Sequence, residues 1–315
     1  MLIQRVALWL FAVGGLILGA GVTSGQDYPS KPVRIVTSGA GGGNDLMTRT
    51  IAQGIAGTIG QQIIVDNRPS GIIGETVAKA PADGYTLLLG GGSLWIQPFL
   101  QEVRYDVAKD FAPITLVERS PSLLVVHPSL PVKSIRELIA LAKSRPAALN
   151  YAFASADTQL AAELFKSMAG VDIVGVPYKT MGAALTDVLG GHITIIMSSS
   201  VVVPHLKAGR LRALAVTTPK ESTLFPGLPA VAEVVPGYEA SAMAAAFAPA
   251  NTPRPIINRL NQEIGRFLTS ADGKQKFLSN GSEAVTSTPE ELAAIIKTEM
   301  TRLGKIIKDA GIKTN

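Results

Sequence analysis

The chain has 315 residues, 47% of them apolar and 17% charged, with 29 Lys+Arg against 24 Asp+Glu and a net charge of +5. That length exceeds what a single core grows to and predicts two domains, and the apolar share excludes a disordered chain. Basic residues are scattered and form no aromatic-flanked stripe, which argues against a nucleic-acid partner, and the absence of cysteine removes disulfides, thiolate nucleophiles and cysteine zinc sites.

The N-terminus reads as a secretory signal. Arg5 precedes an apolar run from Val6 to Val22, followed by the small residues Thr23, Ser24 and Gly25. The expectation is export to the periplasm with cleavage near Gly25, so residues 1–25 stand outside the fold.

Beyond the leader, strand and helix patterns alternate, which predicts an α/β architecture with mostly parallel sheets. Val33 to Thr37 is a strand, and 38-SGAGGGN-44 leads into a helix whose Met47, Ile51, Ile55 and Ile59 share one face. Strands follow at Gln62 to Val65, Tyr85 to Leu89 and Leu123 to Val126, and 134-SIRE-137 has the spacing of a capping box. Asn150 to Ala154, Val174 to Val176, Ile193 to Met197 and Arg212 to Thr217 are further strands, alternating with helices over Leu160 to Met168, Ala183 to Leu189 and Pro204 to Ala208. Residues 219–240 carry four prolines and read as a long connection. An extended segment at 240–250 and two helices, from Pro253 and Pro289, complete the chain.

The glycine loop invites a nucleotide reading, since such loops aim backbone N–H groups at anions. Asn44 stands where the third glycine of a dinucleotide fingerprint belongs, Asp45 puts a negative charge in the helix's first turn, and no Lys-Ser/Thr pair follows as in a P-loop. His127, His192 and His205 stand apart from one another and from carboxylates, so neither a metal site nor a catalytic base is indicated, and no cofactor is expected. The serines 198-SSS-200 lie beyond a buried strand without an evident base. What remains is a set of small, polar loops at strand ends: 38-SGAGGGN-44, 90-GGGSLW-95, 153-FASADT-158 and 198-SSS-200. Ligands gather at that edge of open α/β sheets, and this site is rich in hydrogen bonds and poor in catalytic groups.

Those stretches belong to a longer series that resembles a known family. With 28-YPSKPVRIV-36, 64-IVDNRP-69, 78-AKAPADGYTLLLG-90, 124-LVVHPSLPVKSIRELIALAK-143, 162-AELFKSMAGV-171, 186-TDVLGGHI-193 and 205-HLKAGRLRALAVT-217, the chain resembles the solute receptors of tripartite tricarboxylate transporters, the Bug receptors. The resemblance implies a type II periplasmic-binding-protein fold, with residues 26–123 and 247–315 as one lobe and 124–246 as the other. It implies a monomer that is not an enzyme and that hands a small carboxylated solute to membrane transporter subunits. By position it makes Ser38, Gly39, Ala40, Gly41, Ser93, Ser155, Thr158, Ser198 and Ser199 ligand contacts. Trp95, Phe153 and Asp157 join them as members of the same loops. The loop 152-AFASADTQLA-161 departs from the family's glycine- and serine-rich pattern by carrying Asp157, which reads as a helix cap competing with a ligand carboxylate for the same N–H groups. An aromatic, amide or amine-bearing solute is therefore weighed beside a carboxylate. An exported hydrolase using Ser198 to Ser200, and a ligand-presenting partner of a membrane sensor, are the alternatives.

Overall fold

The computed structural model describes residues 28–198, 200–309 and 312. The expected leader 1–25, with its Trp9, and the expected contact Ser199 lie outside the described residues.

Among the described residues, eleven strands form two sheets, each covered on both faces by helices. The first sheet has the order β11-β4-β10-β3-β1-β2, from β1 (Val33–Thr37), β2 (Ile63–Asn67), β3 (Thr86–Gly91), β4 (Phe111–Ser120), β10 (Ala242–Pro249) and β11 (Glu283–Ala284). The second has the order β7-β6-β8-β5-β9, from β5 (Leu123–Val126), β6 (Asn150–Phe153), β7 (Val174–Pro177), β8 (Ile195–Ser198) and β9 (Arg212–Val216). Both sheets are mixed, which corrects the expectation of mostly parallel pairing. β1 pairs in parallel with β2 and β3, and β6 with β7 and β8, whereas β4, β10, β5 and β9 pair antiparallel because they carry the chain out of one sheet and back into the other.

Strands buried on both faces have apolar residues at consecutive positions, and the two faces feed two cores. In β1 and β3, Ile35, Leu87 and Leu89 point to the helices α1 (Gly43–Ile59) and α8 (Arg254–Thr269), where Ile51, Ile55, Leu260 and Ile264 meet them. Val36 and Leu88 point the other way, to Val77 of α2 (Ile73–Ala78), Trp95 of α3 (Ser93–Ile96), and Leu292 and Ile296 of α10 (Pro289–Asp309). The second sheet repeats the division: Leu124 and Val126 face α4 (Ile135–Ser144) and α5 (Ala156–Ala169), while Leu123 and Val125 face α6 (Met181–Leu189). The short helices α7 (Val203–Lys207) and α9 (Ala271–Ser279) complete the set.

Caps fix where the helices begin. Thr288 and Glu291 bond each other's backbone N–H reciprocally at 3.1 and 2.8 Å. At 134-SIRE-137, Ser134 Oγ accepts from the Glu137 N–H, but the Glu137 carboxylate accepts from the Lys133 N–H, one residue earlier than the expected box.

The chain crosses between sheets at Pro121 and Ser122 and again between Val216 and Ala242. Thr217, fully buried, staples the two crossings together: its N–H and its Oγ1 both donate to Ser122 O at 2.9 Å, and its O accepts from the Ala240 N–H. Both handovers fall earlier than the expected boundaries, since Leu123 already pairs with Ser198 and Val216, and Ala242–Ala246 already pair with β4 and β3.

One buried acid near the first crossing makes folding pH-dependent. Glu118, on β4, is 8% exposed; burial pushes its carboxyl up from 4.5 to about 7, against the opposing hydrogen bonds from Ser120 and Ser282. The folded state thus holds this proton more tightly than the unfolded chain does. The resulting stabilisation is complete below about pH 4.5 and disappears as pH rises through 7, a swing on the order of 3 kcal/mol at about 1.4 kcal/mol per pH unit. Urea unfolding at pH 5 and pH 8 is expected to show that loss, and Glu118→Gln to flatten it; an equal pH dependence in the variant would assign it elsewhere.

Candidate functional site

The residues that close the gap between the sheets come from the same edge of each. Ser38 follows β1, Ser70 follows β2, Ser155 follows β6, Thr180 follows β7 and Ser198 ends β8, while Ser122 precedes the antiparallel strand β5 and Ala242 begins β10. They enclose a cavity of about 60 Å³ together with Gly39, Asn44, Asp157 and Thr158. A second cavity of about 40 Å³ shares Ser122, Asp157 and Ala242 in its wall and runs toward the hinge past Trp95 and Arg302. A larger cavity, about 510 Å³, lies behind the hinge among long, charged side chains such as Arg119, Lys220 and Glu221. The ends of β4, β10 and β11 reach it, but none of the loops that follow the parallel strands β1, β2, β6 and β7 does; those gather at the smaller cavity, so topology rather than size identifies the site.

The lobes meet across the glycine loop. A Cβ on Gly39 would stand 2.6 Å from Thr180 Cγ2, and the Gly182 Cα lies 3.5 Å from where a Cβ on Gly41 would be. Gly39 is thus glycine because the opposite lobe lies against it. Gly41 is glycine for a second reason, a φ of +77° that side chains disfavour. On the second lobe, Thr180 caps α6 by accepting from the Ala183 N–H at 3.2 Å.

Asp45 holds this loop from behind. It is 7% exposed, accepts from the Gly41 N–H at 3.0 Å, from Asn67 Nδ2 at 2.8 Å and from Arg49 Nε at 2.9 Å, and Asn67 also donates to Ser38 O. Its charge is therefore matched by Arg49 and turned away from the cavity. The Gly41 N–H, expected to bind ligand, is spent on this carboxylate. The first turn of α1 keeps its own N–H groups: its N-cap, Gly42, offers no side chain, and Gly42, Gly43 and Asn44 line the cavity. The positive end of a 17-residue helix thus points inward.

Across the cavity the second lobe presents the first turn of α5. Its N-cap is Ser155, which corrects the reading of Asp157 as the cap; Asp157 sits two residues inside the helix. Thr158 Oγ1 accepts from the N–H groups of Ser155 and Ala154 at 3.3 and 3.4 Å. Asp157 instead reaches across to the first lobe, where Ser93 Oγ donates to its Oδ1 at 2.6 Å.

The expected residues thus divide. Ser38, Gly39, Ser155, Asp157, Thr158 and Ser198 line the cavity. Ala40 and Gly41 form the contact between lobes beside it. Ser93 stands behind Asp157 and, with Phe153, lines a separate cavity of about 150 Å³. Trp95 is 2% exposed, packs 6.4 Å from the Phe247 ring and faces only the cavity toward the hinge. Asn44, Ser70, Ser122, Thr180, Met181 and Ala242 were not expected. Ser70 and Thr180 follow strands as the expected loops do, so the same rule reaches them; Ser122 and Ala242 lie on the crossings and carry no local signal.

Two mixed α/β lobes, linked by two crossings and meeting over hydroxyls and helix N-termini, define a type II periplasmic-binding-protein fold, whose members trap a solute between lobes. The family model described as "Tripartite tricarboxylate transporter family receptor" matches residues 47–312, and the chain belongs to that family. It is 35% identical over 318 residues to the protein BugT of Bordetella pertussis, covering 96% of this chain and 98% of BugT. Among solved structures it resembles R. palustris Rpa4515 with adipate, at a TM-score of 0.87 and 36% identity over 92% of this chain and 100% of that one. It also resembles the periplasmic binding protein BugD, at 0.87 and 26% over 91% and 100%.

Proposed function

We propose that this protein is a periplasmic receptor that closes its two lobes over one small carboxylate-bearing solute and passes it, chemically unchanged, to the membrane subunits of a transporter. The observation that carries this reading is the convergence of strand-end hydroxyls and an uncapped helix N-terminus, from both sheets, on one cavity. Only the closed arrangement lets both lobes donate to the same molecule, so the binding free energy of the solute drives closure. The inward end of α1 suits a carboxylate, and the adipate in Rpa4515 supports that chemistry. Ser198 lines the cavity without a histidine among the described wall residues, so the reading assigns it a hydrogen bond to solute rather than nucleophilic attack. The leader-like first 25 residues support export with cleavage near Gly25. The working unit is one chain, since both halves of the site come from it.

Calorimetry with unbranched carboxylates of four to six carbons, adipate included, tests this. One solute per chain is expected to bind, and Asn44→Leu, which replaces a wall amide by an apolar side chain of similar size, to weaken binding at least tenfold with melting unchanged. The reading fails if no such acid binds, if Asn44→Leu binds as the wild type does, or if the solute is converted.

A further inference from the structure

The walls of the inter-lobe cavity differ in charge from end to end. On the first lobe, the α1 N-terminus faces inward with no side-chain cap, and the acid in its first turn, Asp45, is turned away and paired with Arg49. On the second lobe, the wall carries the carboxylate of Asp157. Its Oδ1 accepts from Ser93, and its Oδ2 has no partner among the described residues. An ionised carboxylate offers about four acceptor positions, so most of its capacity remains open. No Lys, Arg or His among the described residues lines this cavity. The cation in the wall of the adjoining cavity, Arg302, is committed to Glu299 at 2.7 Å and lies 3.8 Å from Glu239.

A dicarboxylate filling this space would bring one of its charges against Asp157 with no cationic side chain among the described wall residues to pair with it, and the α5 first turn and Ser93 already serve Asp157 itself. Like charges brought together in a closed, poorly hydrated site repel strongly, whereas an ammonium there gains a charge-assisted hydrogen bond. We propose that the cavity selects a zwitterion: a carboxylate held at the α1 N-terminus and a cationic nitrogen held by Asp157, so that an amino acid is preferred over the dicarboxylate of equal length. This rests on the receptor reading above and specifies the second end of its solute. Asp157 is then a specificity-determining residue, and Ser93 a positioning residue that fixes its carboxylate from the opposite lobe.

The test uses matched pairs in which one carboxylate is exchanged for an aminomethyl group: succinate with 4-aminobutyrate, glutarate with 5-aminopentanoate, and adipate with 6-aminohexanoate. In the unmodified chain, the amino acid of the best-binding pair is expected to bind at least tenfold more tightly than its diacid. Asp157→Asn, which keeps the size of the side chain and an acceptor for Ser93, is expected to lower that ratio at least tenfold. A diacid that binds more tightly than its amino acid in the unmodified chain overturns the inference while leaving the receptor reading intact, and this result does not depend on the variant folding. An unchanged ratio in a variant with wild-type melting behaviour likewise removes Asp157 from selection. A chain that binds none of the six overturns both.

Discussion

Gly39→Ala is expected to weaken solute binding by ten- to a hundredfold while leaving the melting temperature of the unliganded protein nearly unchanged. The new methyl would stand 2.6 Å from Thr180 Cγ2 and 3.2 Å from Thr180 Cβ, inside van der Waals contact. Overpacking of this kind costs about 1–3 kcal/mol, and each 1.4 kcal/mol is tenfold in affinity. Gly39 and Thr180 belong to different lobes, so opening the hinge relieves the clash without unfolding anything; the cost therefore falls on closure. Gly39 has an ordinary φ, so alanine adds no backbone strain of its own. Adding Thr180→Ser removes the offending methyl and keeps the hydroxyl that caps α6, and the double variant is expected to recover most of the lost affinity. Calorimetry beside a thermal melt decides the matter. Unchanged affinity in Gly39→Ala would mean that the lobes do not meet here when solute is bound.

Phe247→Ala is expected to have the opposite profile, a large loss of stability. Phe247 is 1% exposed on β10 and packs 6.4 Å from the Trp95 ring and 6.1 Å from the Phe111 ring. Truncating such a side chain costs about 3–5 kcal/mol, from lost burial plus the cavity left behind. Trp95 and Trp9 are the only tryptophans in the sequence, so with Trp9 replaced by phenylalanine the emission reports on this cluster alone. Urea unfolding followed by that emission is expected to show the loss together with a red-shifted native signal. A cost under about 1 kcal/mol would mean that the cluster relaxes around the gap.

Local chemistry made some elements legible and hid others. β1 and β5 run over the same residues as their β-branched patterns, and the Met47, Ile51, Ile55, Ile59 spacing is the buried face of α1. β4 gave no clear strand signal because Pro113 interrupts it; the ladder accommodates the missing N–H by a register shift opposite Ala246 and Phe247. α3 hides inside the loop 90-GGGSLW-95, where glycines mask a single helical turn. The site was legible to the extent that it is a set of strand ends. Its decisive contacts were not, because they join distant residues: Ser93 to Asp157 across 64 positions, and Thr217 to Ser122 across 95. Asp157 looked like a cap because a short polar side chain before a helical run usually is one; Ser155 takes that place and frees the carboxylate to span the lobes.

The most direct measurement of the central claim is native mass spectrometry of the receptor purified from the periplasm, followed by release of its contents in denaturing solvent. One small carboxylate-bearing molecule per chain is expected, with the same mass free as bound, and its loss from Asn44→Leu. Protein that arrives empty after exposure to its solutes, or that releases a molecule differing in mass from the one supplied, would contradict it.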